Sequence, residues 1–280
     1  MDFEKKPSEL VSARKSVRTY TGGPIEPAVL EKLLSACRSF DRGVFGEPAR
    51  FSVVEKPFSK DRPVKLGDYG LQKNPRYFFI GAIRKGDRCR ESWGYLLEHL
   101  VLKATELRLG TCWMGYFNRE FFADFLTSPD ELIPAIAVVG VPAENPRLGE
   151  RFIRMGIGAN GRKGWQELFF MGGFATPLVK EAAGPYAEAL EMVRWAPSSV
   201  NTQPWRIVMD ADARTFHFHL RKAKQSYYDM GLHHVDIGIA MAHFELGARE
   251  KGLDGKWAVA DPNLPSLPAG AEYRVSWLGK

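Results

Sequence analysis

The sequence has little cysteine and no long apolar run, and each shortage excludes a class of protein. Its 280 residues include only Cys37, Cys89 and Cys112. The number is odd, the spacing is wide and no C-x-x-C pair occurs, which excludes a disulfide framework or a zinc knuckle and leaves reduced thiols. No stretch reaches the roughly 18 to 20 apolar residues that span a bilayer, and the opening MDFEKKPSEL has no apolar signal core, so a soluble, cytoplasmic protein with no membrane partner is expected. Also lacking is a dinucleotide-binding fingerprint, a strand leading through a glycine-rich turn into a helix. A basic tail is missing too: the net charge of +6 is spread along the chain, which favours anionic small ligands over nucleic acid. What is present is an ordinary globular composition, 45% apolar, enough for one large core or two modest ones.

Proline, glycine and periodicity divide the chain into elements. Pro7 to Lys15 reads as a short helix and Pro27 to Arg38 as a second, with proline at the first helical position and leucines at helical spacing. Strands are expected near Phe51 to Val54 and at Tyr77 to Ile83. A long helix follows from about Ser92 to Leu109, stopping at Gly110, and then a buried strand at Ile136 to Val141 between two prolines. The order recurs in shorter form: helix Tyr186 to Trp195, strands Trp205 to Met209 and Phe216 to Leu220, long helix Val235 to Lys251, and last strand Tyr273 to Trp277.

Two registers make the recurrence explicit. An offset of 156 sets Leu34, Arg38, Val44, Pro48 and Arg50 on Leu190, Arg194, Val200, Pro204 and Arg206. An offset of 144 sets Gly94, His99, Leu102, Ala104, Glu106, Leu109 and Trp113 on Gly238, His243, Leu246, Ala248, Glu250, Leu253 and Trp257. Gly, His, Glu and Trp coinciding in one register points to duplication of a βα-containing unit. The halves are expected at 1–175 and 176–280, packed as a pseudo-dimer with any seam ligand between them.

Two stretches carry candidate chemistry. Arg14-Lys15-Ser16-Val17-Arg18 puts three cations and a hydroxyl into five residues, a donor set suited to phosphate because guanidinium forks give bidentate, charge-assisted hydrogen bonds. As a helix end, the same residues also read as a solvated terminus that complements the macrodipole. Ala196 to Trp205 (APSSVNTQPW) is a loop held extended by prolines, and its Ser198, Ser199, Asn201 and Gln203 suit a flat heterocycle bearing carbonyls and ring nitrogens. It also reads as a polar connection anchored by Trp205. Other polar residues fall to the core: Cys112 reads as a structural thiol, and His217, His219, His233 and His234 have no partners at metal-ligand spacing. The tryptophans and phenylalanines read as core as well.

R-x-S-x-R followed by A-P-S-S-x-N-x-Q-P-W resembles the motif pair of FMN-dependent nitroreductases. Leu109 to Trp113 (LGTCW) and Val138 to Arg147 (VVGVPAENPR) are similar to later signatures of that family. The resemblance implies an α+β, nitroreductase-like fold whose halves each carry a mostly antiparallel sheet flanked by helices. In ordinary members both motifs lie close together on one chain, and two identical chains form two FMN sites. Here RKSVR occurs only in the first half, whose counterpart of the loop has become Asp41 to Ala49 (DRGVFGEPA), with Phe45 for Asn and Arg42 for Ser. The loop occurs only in the second half, preceded by PLVKEAAG. The chain therefore resembles a divergent single-chain tandem subgroup that keeps one complete FMN site and has lost the other.

That resemblance implies a role for each residue. Arg14 and Ser16 bind the phosphate, with Lys15 near, and Arg18 lies by flavin N1 and the C2 carbonyl, where a cation favours reduced flavin. Arg162 and Lys163 match a basic pair that returns to the phosphate. Pro197, Ser198, Ser199 and Asn201 reach the isoalloxazine and ribityl chain from the second half. Backbone N–H groups of Gly110, Thr111 and Cys112 lie near N5 and O4. The implied activity is ping-pong, with NAD(P)H delivering hydride to N5 and a small-molecule acceptor such as a nitroaromatic or quinone removing it, without a protein acid or nucleophile. The decayed first-half loop leaves a second reading open, a flavin- or ligand-binding protein with reduced or lost catalysis. The chain is expected to act as a monomer built like a dimer, compatible with higher oligomers.

Overall fold

The structure, a computed structural model, describes residues 2–56, 72–144 and 161–280, and there the chain is α+β. It divides into two compact units: Met1–Lys5, Ser12–Cys89 and Leu96–Asn160 form the first, and Lys6–Val11, Arg90–Tyr95 and Gly161–Lys280 the second.

The helix α1 (Pro7–Ala13) is followed by α2 (Pro27–Arg38), which has proline in its first turn and buries Leu33, Ala36 and Cys37. Then come β1 (Ala49–Glu55), β2 (Tyr77–Arg84), α3 (Cys89–Glu106), β3 (Gly110–Met114), β4 (Glu131–Leu132) and β5 (Ile136–Gly140). The first unit's sheet runs β1-β2-β5-β3, with β4 also on β2, and every pair is antiparallel. The central strands β2 and β5 are buried along nearly their whole length, as their continuous apolar runs require.

The end of α3 departs from the sequence expectation. Instead of running to Leu109 and stopping at Gly110, it ends at Glu106, and Arg108 takes the left-handed conformation (φ 61°). Leu109 N–H closes the cap on Ala104 O at 2.8 Å. Gly110 instead opens β3, and a Cβ there would lie 2.8 Å from the Val17 side chain.

The second unit contains α4 (Trp165–Leu168), β6 (Phe169–Met171), α5 (Ala187–Trp195), β7 (Trp205–Met209), β8 (Thr215–Arg221), α6 (Gln225–Asp229), α7 (Leu232–Glu250), β9 (Gly255–Ala258) and β10 (Ala271–Gly279). Its sheet runs β6-β7-β8-β10-β9, antiparallel except for the parallel pair β6-β7. Phe216 and Phe218 of β8 meet Phe244 of α7 at 4.9 and 5.5 Å between ring centroids. Strand alternation turns His217 and His219 to the opposite face. There His217 Nδ1 lies 2.7 Å from Ser276 Oγ, and His219 Nδ1 lies 3.2 Å from the His217 carbonyl.

Both long helices are buried nearly all round, so no apolar stripe marks either. Within the second unit, the Arg90–Tyr95 stretch of α3 meets α7 through two glycines. A Cβ on Gly94 would sit 2.1 Å from Val235 O, and one on Gly238 would sit 1.9 Å from Glu91 O. The contact is reciprocal in the 144 register, which relates Gly94 to Gly238 and Glu91 to Val235. The matched glutamates also behave alike. Glu106 accepts the amides of Glu4 and Lys5 (2.6 and 3.0 Å), while Glu250 accepts the amide and hydroxyl of Ser8 (2.8 and 2.6 Å). Among the described residues, no helix is long and apolar enough to cross a membrane, and no cluster of three or more His, Cys, Asp or Glu is placed to hold a metal.

Candidate functional site

In the first unit, RKSVR is not a helix end. Helix α1 stops at Ala13, two residues short of the expected end at Lys15. The segment after it is extended: Ser16 bridges Thr111 in parallel, and Val17 N–H donates to Thr111 O at 2.8 Å. Farther on, Lys73 N–H donates to Arg18 O, and Thr21 N–H to Val141 O, at 2.8 and 3.0 Å. Strand geometry therefore fixes where these side chains leave the backbone. Gly110 is required beside Val17 for the segment to lie this close to β3.

Ser16 and Thr111 are thus brought together, with Arg14 half-buried, Lys15 exposed and Arg18 buried. Because Thr111 O faces Val17 and successive amides alternate, Thr111 N–H points away from β5, whereas those of Gly110 and Cys112 point toward it. Cys112 is buried, its Sγ 3.6 Å from Trp113 O. The later signature is described only up to Glu144; Asn145, Pro146 and Arg147 lie outside the described residues.

In the second unit the loop between α5 and β7 is tightly organised. Val200, Asn201 and Gln203 all have positive φ (44°, 58° and 46°), a conformation that non-glycine residues adopt only when their surroundings impose it. Ser198 Oγ accepts Gln203 N–H at 2.8 Å, and Asn201 Nδ2 donates to Gly161 O at 2.9 Å. Gln203 Oε1 accepts Lys163 N–H at 2.9 Å, and its Nε2 donates to Asn201 O at 3.1 Å. Arg162 donates to Trp195 O at 3.2 Å, reaches Asn201 Oδ1 at 3.4 Å and lies over the Trp195 ring at 5.2 Å. Arg162, Lys163, Ser198, Ser199 and Asn201 therefore form one cluster, with Pro197 half-buried beside it.

Three residues of this cluster, Trp195, Asp236 and Arg206, were not assigned from sequence. Gln203 ties Lys163 to the loop, and Trp195 is 44% exposed rather than core, unlike Trp205, which is fully buried. Asp236, on α7, accepts from Ser199; burial pushes its carboxyl above the ordinary aspartate range, opposed by bonds from His233 and Ser199. Arg206 is buried and donates to Gln203 O and Trp205 O. Burial, and then the nearby Arg206 charge, bring Lys163 down to about 8. Burial, with Arg221 adding to it, brings Arg206 down to about 10. A clustered signal of this kind is tertiary, since Asp236 stands 37 residues from Ser199 inside a buried helix.

The first unit's counterpart, Asp41 to Ala49, closes on itself. Arg42 bridges Pro48, Gly43 N–H donates to Glu47 O at 2.7 Å, and Gly46 N–H donates to Gly43 O at 3.0 Å.

Among the described residues, two five-stranded, mostly antiparallel sheets with buried helices make up the chain, the architecture of the nitroreductase fold. A Thermotoga maritima MSB8 protein named "putative nitroreductase" superposes with a TM-score of 0.61 at 17% identity, over 99% of this chain and 95% of its own. The family model described as "Putative TM nitroreductase" matches residues 8–248, and the chain belongs to that family. Shorter likenesses include a "putative nitroreductase in complex with FMN" from Desulfovibrio desulfuricans, with TM-score 0.40 and 19% identity over 53% of this chain and 95% of its own. Another is a "nitroreductase with bound FMN" from Bacteroides fragilis NCTC 9343, with TM-score 0.41 and 18% identity over 51% of this chain and 92% of its own.

Proposed function

We propose that this chain is an FMN-dependent oxidoreductase that passes hydride from NADH or NADPH to a small oxidised acceptor such as a nitroaromatic or quinone. The observation that carries the reading is the Ser198–Gln203 loop, held in a left-handed conformation beside Arg162 in a chain of the nitroreductase family. The donor sets fit FMN. Arg14, Lys15, Ser16 and Arg18 leave one extended segment as cations and a hydroxyl, which suits a phosphate, and the loop offers amide and hydroxyl groups for a polar heterocycle. Bound FMN supplies the hydride-transfer chemistry. Arg14 and Ser16 hold its phosphate, aided by Lys15, Arg162 and Lys163. The buried Arg18 guanidinium stabilises negative charge on the ring, an effect that low local polarity strengthens. Pro197, Ser198, Ser199 and Asn201 orient the ring and ribityl chain, and the Gly110–Cys112 strand lines its reacting edge.

One FMN per chain is proposed, because the Asp41–Ala49 turn bonds the amides of Gly43, Gly46 and Ala49 within itself and has lost the loop's Ser, Asn and Gln side chains. The purified chain should be yellow, release flavin on denaturation and bleach anaerobically with NADH or NADPH. Arg14→Ala and Asn201→Ala should each weaken FMN binding by about tenfold or more, since each removes a hydrogen-bonding group from the proposed site. A colourless protein that takes up no added FMN refutes the proposal. Stoichiometric FMN that neither nicotinamide reduces supports the binding-protein reading instead.

A further inference from the structure

Asp236 is a carboxylate only 2% exposed on a buried helix, and each contact it makes is with a donor. Its Oδ1 accepts Ser199 N–H at 2.9 Å and Ser199 Oγ–H at 3.2 Å. Its Oδ2 lies 3.3 Å from His233 Nδ1, and His233 Nε2 accepts Lys224 N–H at 3.3 Å. An Nε2 that accepts leaves the ring proton on Nδ1, so His233 also donates to Asp236. The carboxylate thus grips the loop at the residue just before Val200, the first of three left-handed positions, which persist only where neighbours fix them.

The repeat supplies an independent observation. The 144 register, in which Gly94 and Gly238 correspond, sets Asp236 on Ser92, and the 156 register sets Ser199 on Gly43. The first copy of the repeat therefore lacks both members of the contact, and its loop has folded back into a closed turn.

We propose that Asp236 is a positioning residue that holds the Ser198–Gln203 loop in the shape that receives the flavin. This rests on the FMN reading above for what the loop receives, but not for the clamp itself.

The test uses the full chain without FMN, as wild type, Asp236→Ala, Asp236→Asn and Ser199→Ala, with amide hydrogen exchange followed peptide by peptide. Asp236→Ala should raise exchange across Ser198–Gln203 by about tenfold or more while β7 and β8 keep their protection. Ser199→Ala, which keeps the amide bond, should raise it roughly threefold. Asp236→Asn should fall between wild type and Asp236→Ala, because its amide oxygen still accepts from Ser199 while its NH2 group meets the His233 Nδ1–H donor instead of accepting from it. FMN dissociation constants, read from flavin fluorescence quenching, should follow the same order. Unchanged exchange in Asp236→Ala and Ser199→Ala overturns the proposal. If Asp236→Ala does not fold, unchanged exchange in Ser199→Ala alone overturns it. The expected exchange pattern in a chain that takes up no FMN upholds the clamp and overturns the flavin reading instead.

Discussion

Replacing Gly94 by alanine puts a methyl group 2.1 Å from Val235 O, where real Cβ contacts begin at 3.0 Å, so the two helix backbones must separate by roughly 1 Å. A gap of that size forfeits about a quarter to a half of each dispersion contact along the crossing, which puts the cost at about 3 kcal/mol. Alanine's better helix propensity returns about 1 kcal/mol, leaving a net loss of about 2 kcal/mol. Gly238→Ala, with its methyl 1.9 Å from Glu91 O, should cost at least as much. Both clashes are relieved by the same movement. The double variant should therefore lose about 1 kcal/mol instead of about 4, since separation is needed once and propensity is gained twice. Urea titrations followed by tryptophan fluorescence and far-UV circular dichroism, with a shared m-value, give the four free energies of the cycle. Additivity within about 0.5 kcal/mol would refute the claim that the two glycines serve one crossing.

The left-handed Arg108 predicts a stabilising substitution: Arg108→Gly should relieve roughly 1–2 kcal/mol of strain and return about half of it as unfolded-chain entropy, raising Tm by about 2 °C. A fall in Tm on calorimetry would show that Arg108 is held there by contacts worth more than the strain. Lys163 titrates near 8 in the folded chain and near 10.4 when unfolded, so between those values the unfolded state binds more protons and stability should rise with pH. Lys163→Met should flatten that rise in denaturation midpoints measured from pH 8 to 10, and an unchanged slope would contradict the assignment. Acylation of Lys163 followed by mass spectrometry should fall when FMN is added if the proposed site is correct, because the phosphate it places near Lys163 would raise the amine's proton affinity.

Some elements were legible in the sequence because their signals are local. Helix α2 shows its proline start and leucine spacing in twelve residues, and β7 is a run apolar but for Arg206, bounded by Pro204 and Asp210. The end of α3 was not legible: its left-handed cap falls on arginine, whereas α7 uses Gly252, with Leu253 N–H on Ala248 O in the same arrangement. For that reason GTCWM read as a helix exit instead of strand β3. The short strands β6 and β9 carry too few residues to show alternation. At the site, sequence supplied the loop and the cations but neither Asp236 nor the pairing of Ser16 with Thr111, since both depend on residues dozens of positions away.

The grip of Glu250 on Ser8 also constrains synthesis. The two residues are 242 positions apart, so at about 5 to 20 residues per second the first helix emerges roughly 12 to 50 seconds before its partner exists. Throughout that interval the RKSVR segment follows a helix whose Ser8 has no glutamate to bond. A segment made early is thus fastened late, and a ribosome stalled before α7 would carry a nascent chain with that segment still unsecured.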